Sequence, residues 1–139
     1  MHAVRAVLIA IALSATAGCN VTGPVDGDIV LESPTAPVAP GSTLQLALAN
    51  NTENVVVAGA LPCTVSVEQR VNGKWYPTHR GDPICPAIAI IVESGARHAF
   101  ATEAPALPGT YRFVTSVSEG NSSGVMVYSK PLSVVVFTY

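Results

Sequence analysis

An all-β antiparallel β-sandwich of about seven to eight strands is the fold class this sequence predicts. Three observations predict it: short runs in which apolar and polar residues alternate, turn signals about every 8–12 residues, and no run with a helical period. The chain has 139 residues, 49% of them apolar and 12% charged. That length holds one domain and a targeting segment, and that composition can bury a core. A net charge of −2 with no cluster of Lys or Arg gives no reason to expect nucleic acid as a partner.

Taken in order, Asp28, Ile29, Val30 and Leu31 open a first edge strand. Pro34, Pro37 and Pro40 follow, each without a ladder donor, so that stretch is a loop or a kinked edge. Leu44, Leu46 and Leu48 alternate with small or polar residues and point inward. Asn50, Asn51 and Asn54 form a turn cluster before the strand that begins at Val55, and Val65 and Val67 are the inward positions of the next strand. Asn72-Gly73 is the strongest short-range hairpin signal in the chain and predicts a type I′ turn, with Trp75 and Tyr76 starting the return strand. Residues 77–83 read as a loop, and residues 87–92 and 97–102 as strands. Pro131 puts a bend into the last apolar run, residues 125–137.

The rest of the chain is organised around residues 107–117. Pro108 and Gly109 predict a tight turn, with Gly109 supplying the φ > 0 that a type II turn needs. Beyond the turn, Tyr111, Phe113, Thr115 and Val117 share one face of a strand. Leu107-Pro108-Gly109-Thr110-Tyr111 resembles the tyrosine corner of Greek-key sandwiches, where a Tyr hydroxyl bonds backbone a few residues upstream. Tyr111, Gly109 and Trp75 are therefore expected to act structurally.

Residues 1–18 read as a signal peptide: Arg5, an apolar run over residues 6–13 too short to span a bilayer, then small residues. Two processing routes compete. Ala15-Thr16-Ala17 fits ordinary secretory cleavage, whereas Thr16-Ala17-Gly18-Cys19 resembles the lipobox of bacterial lipoproteins, with Thr16 where Leu is usual. Cysteine arithmetic favours the lipobox, because lipidation of Cys19 leaves an even pair, Cys63 and Cys85. Acyl chains on Cys19 would anchor the protein in a membrane. In a didermic bacterium, Asn20 resembles the residue after the cysteine in outer-membrane lipoproteins, since the usual retention signal there is Asp. Residues 19–27 then serve as a polar tether, and residues 28–139 form the domain.

Cys63 and Cys85 flank the Asn72-Gly73 hairpin, so a disulfide between them would staple its open end. Closing a loop of about 23 residues stabilises by about 3 kcal/mol on the chain-entropy estimate. Two Cys without a nearby His pair make a poor zinc set, so no metal is expected.

Leu44 to Asn50, the Gly73-Lys74-Trp75 hairpin, Leu107 to Phe113 and the closing Tyr128 to Val134 resemble bacterial immunoglobulin-like domains of envelope lipoproteins of unassigned function. The resemblance covers about residues 28–138. It implies the fold and a bacterial envelope setting, and it carries no active site. A more distant likeness is to bacterial proteinase inhibitors of similar sandwich fold.

Chemistry-bearing residues are few. No nucleophile elbow, His-Glu-x-x-His helix or phosphate-cradling glycine loop is present, and no cofactor is expected. His79 and Asp82 are the nearest thing to a catalytic pair, but scattered Ser, His and Asp in loops are background. His98 is expected at a strand edge facing out. The loop of residues 77–86, carrying His79, Arg80 and Asp82, is the one place where binding would concentrate.

The leading expectation is a non-enzymatic, lipid-anchored binding or scaffolding domain, with the membrane and an envelope protein as partners. The alternative is a protease inhibitor presenting residues 77–86.

Overall fold

The computed structural model describes residues 27–79 and 84–138. The expected signal peptide, Cys19, most of the tether, and Arg80 and Asp82 of the candidate loop lie outside the described residues.

Ten strands follow in order: β1 (Ile29–Glu32), β2 (Thr43–Asn50), β3 (Val56–Ala58), β4 (Ser66–Val71), β5 (Lys74–His79), β6 (Ile90–Val92), β7 (Arg97–Glu103), β8 (Gly109–Glu119), β9 (Val125–Tyr128) and β10 (Leu132–Val134). They make an immunoglobulin-like antiparallel β-sandwich. The small sheet runs β1-β2-β7, and the large sheet is built on β8.

β8 is the longest strand and carries partners along both edges. On one edge it pairs with β4 over residues 111–114 and with β3 over 117–119. On the other it pairs with β10 over residues 109–111 and β9 over 114–117. β5 and β6 extend the first edge outward, on β4 and β3 respectively. Each edge of β8 thus holds one strand broken in two. Counted once each, the broken strands reduce the ten segments to the eight positions at the upper end of the expectation.

The breaks have local causes. At the β9–β10 break, Pro131 cannot donate to a ladder, and Ser129 takes over at Phe113: the Ser129 amide donates to the Phe113 carbonyl, and the Phe113 amide donates to Ser129 Oγ, both at 2.9 Å. Between β3 and β4, residues 59–65 fold into a turn, with Thr64 N–H donating to Ala60 C=O and Val65 N–H to Pro62 C=O.

Alternation sets the core. Leu44, Leu46 and Leu48 of β2 and Tyr111, Phe113, Thr115 and Val117 of β8 are all buried, as their period-2 spacing predicts. Full burial of a side chain such as Phe113 is worth about 1.5–3 kcal/mol. The buried Asn50 at the end of β2 has every polar atom used: its amide donates to the carbonyls of Asn54 and Val92, and its Oδ1 accepts from the Thr52 amide and hydroxyl. One side chain thereby holds the β2–β3 turn against β6.

Four sequence expectations change. Pro77 lies within β5, where the large sheet's edge tolerates a residue without a donor. The strand expected from residue 87 begins only at Ile90, because the disulfide at Cys85 and a turn from Pro86 to Ile88 hold the preceding residues out of the ladder. His98 pairs with the buried Leu48 and shares the inward face of β7 with Phe100, so it is half-buried rather than facing out. Gly109 has φ +158°, far from the value of a type II turn. Its requirement is space: an added Cβ would come within 3.1 Å of the Tyr111 ring and 2.8 Å of the Gln69 amide nitrogen.

Candidate functional site

The two long sides of the sandwich are finished differently. On the β1 side the chain leaves the small sheet at Pro34 and crosses to the large one. Leu31 bridges to Ser129 and Val38 to Val134, and amide hydrogen bonds join Val38 to Ser133 and Val135 to Val38. The proline-rich stretch is this crossing, and it closes that side.

Among the described residues, no such crossing closes the β7 side. A cleft of about 1000 Å³ opens there between β4 and the end of β7 with the connection into β8. Its floor is the inward face of β4. Val65 is 5% exposed, Val67 and Gln69 are half-buried, and Val71 is 43% exposed, so cover is lost steadily toward the hairpin tip. The β4–β5 hairpin therefore projects past the small sheet. Its Asn72-Gly73 tip has φ of 50° and 78°, both positive as a type I′ turn requires.

The far wall is built by the tyrosine corner. The Tyr111 hydroxyl donates to the Leu107 carbonyl at 2.9 Å and fixes the connection from β7. Burial pushes the Tyr111 phenol above its ordinary value, because the ionised form would lose its water. Leu107 itself, 71% exposed, stands at the rim with Glu103. At the other end sit His79, the exposed last residue of β5, and the Cys63–Cys85 disulfide, which closes the open end of the hairpin at a separation of 22 residues. The structure thus brings His79, Cys63 and Tyr111 to one cleft. It places Trp75 elsewhere.

Trp75 lies on the outer face of the large sheet, where the Arg112 guanidinium is held between two rings, 4.5 Å from Trp75 and 4.2 Å from Tyr128. Glu68 faces Arg112 across the β4–β8 ladder and accepts from its Nε at 2.6 Å and its Nη2 at 2.5 Å. Four strands meet in this cluster. It was missed in the sequence because only the strand register brings these residues together.

Chemically, the cleft offers an apolar floor and a rim with few charges. Among the described residues no three His, Cys, Asp or Glu side chains gather as metal ligands. No protein-family model matches the chain, and no curated protein matches it. Among solved structures, the chain is similar to Northeast Structural Genomics Consortium target SoR45, with a TM-score of 0.54 and 12% identity, over 80% of this chain and 88% of that one. It also aligns with PapD-like domain 7 of human CEP192, with a TM-score of 0.40 and 14% identity, over 99% and 100% of the two chains. The first likeness is one of fold.

Proposed function

We propose that this chain is a non-enzymatic binding or scaffolding domain of a bacterial envelope lipoprotein, anchored through lipid on Cys19, and that it receives its partner at the open β7 side. The cleft carries this reading: it is concave, mostly apolar and walled by strands, a tyrosine corner and a disulfide, as a binding site would be. The leader, Cys19 and Asn20 support the anchor and an outer-membrane address.

Two measurements on the full-length protein in a bacterial host test the reading. Cys19→Ser should move the protein from the membrane fraction to the soluble one; retention of the variant in the membrane refutes the anchor. Cross-linking in the intact envelope should give one dominant partner joined through cleft residues. Diffuse neighbours alone would refute a dedicated binding role.

The protease-inhibitor reading has one observation in its favour, the disulfide that pins Cys85 at one root of the 77–86 loop. Loss of inhibition-competent behaviour is easily scored: no inhibition of envelope proteases by micromolar protein eliminates it.

A further inference from the structure

We propose that the edge of β7 that pairs with no described strand is a docking slot for a single extended strand from a partner protein, with alternating apolar residues and a Lys or Arg beside Glu103. This rests on the reading of the chain as a binding domain and names how that site would be filled.

The first support is the hydrogen-bond phase of β7. Asn50 N–H donates to Ala96 C=O, and Ala104 N–H donates to Ser42 C=O. Antiparallel pairs alternate, so Ala96, His98, Phe100, Thr102 and Ala104 spend their backbone groups on β2. The N–H and C=O groups of Arg97, Ala99, Ala101 and Glu103 therefore point to the open edge.

The second is that this edge lacks the usual protection. Exposed edges are normally blunted by shortness, proline, bulges or charge, and on β7 charge stands only at the two ends, Arg97 and Glu103. β1 is four residues long and runs into Pro34; β5 carries Pro77 opposite a bulge at Val67/Glu68; β6 and β10 have three residues each. β7 has seven residues, keeps one unbroken register with β2, and contains no proline. Its outer side chains at the centre are Ala99 and Ala101, which crowd nothing.

The third is the uncovered floor. Val67 and Val71 of β4 face the same side as the buried Val65, and cover falls from Val67, partly buried against the core, to Val71, 43% exposed. A strand laid beside β7 would take its hydrogen bonds from β7 and cover that floor with alternate side chains. The same overhang decides against a second copy of this chain. Pairing β7 with β7 would drive each copy's projecting β4–β5 hairpin into the space under the other's small sheet, whereas a lone extended segment brings no second layer. Charge fixes the remaining feature. Arg97 is ion-paired with Glu32, while Glu103 takes part in no ion pair among the described residues, so the slot's uncompensated charge is negative.

The test selects from a displayed library of random nine-residue peptides against the full-length protein. Enriched peptides should alternate apolar residues and carry Lys or Arg. Ala101→Pro removes an edge donor that β2 does not use and should weaken the enriched peptide about tenfold. Glu103→Lys should reverse the charge preference of the selection. Should Ala101→Pro misfold, hydrogen exchange on the unmodified protein decides: added peptide should slow the amides of Ala99, Ala101 and Glu103. No enrichment, binding indifferent to Ala101→Pro, or protection elsewhere overturns the slot. An intact Cys19 anchor and an envelope cross-link through another face would then leave the broader reading standing.

Discussion

The closed and open sides of this sandwich use the same kinds of strand and end in opposite ways. On the closed side, Leu31, Leu132 and Val134 are each 1% exposed, and backbone bridges join the sheets across them. On the open side, Val67, Val71 and Tyr76 occupy equivalent inward or hairpin positions with partial cover at best. The difference lies in the crossing: proline at residue 34 ends β1 early and sends the chain to the large sheet, whereas β7 runs its full length and leaves through a rigid corner. Stability is concentrated on one side, and accessible apolar surface on the other.

The largest expected contrast is between truncations on the two sides. Leu31→Ala should cost about 2–5 kcal/mol in denaturant unfolding. Val71→Ala should change stability by no more than about 0.5 kcal/mol. Equal costs would dissolve the comparison. Next comes the disulfide, which anchors the open side's overhang: Cys63→Ser should lose about 2–4 kcal/mol and leave Cys19 processing untouched. An unchanged melting temperature would mean that the hairpin is held by its ladder alone.

Much of this frame is legible in the sequence, and the reason is local. Leu44 to Leu48 declare a strand by period, Asn72-Gly73 declares a hairpin by its φ requirement, and the residues from Leu107 to Tyr111 declare a corner by turn chemistry. Each signal lies within a few residues. The open cleft is not legible, because it arises from how far one sheet extends past another. His98 reads as outward from the sequence, whereas its register opposite Leu48 turns it inward, and register depends on the partner strand. Of the three candidates in the expected 77–86 loop, only His79 is described, and it ends β5 rather than lying in a loop.

Smaller effects sharpen the corner and the outer face. Tyr111→Phe deletes the bond to Leu107 and should cost about 1 kcal/mol. It should also alter the alkaline limb. The raised Tyr111 value means that the fold favours the neutral phenol, so its contribution is whole below the ordinary value of 10.0 and is lost as pH rises through the folded value. Stability should fall above that pH in the parent and fall less steeply in the variant; identical limbs would contradict the burial argument. Arg112→Lys keeps the charge but loses the planar group stacked between Trp75 and Tyr128, and should cost about 1 kcal/mol with no effect on partner capture at the cleft.

The most direct test of the central claim is site-specific photocross-linking in the intact envelope. A photoreactive residue would replace Val71 on the open side in one strain and the exposed Ser133 on the closed side in another. The account predicts a single partner adduct from position 71 and none from position 133. The same adduct from position 133, with nothing at 71, would contradict it.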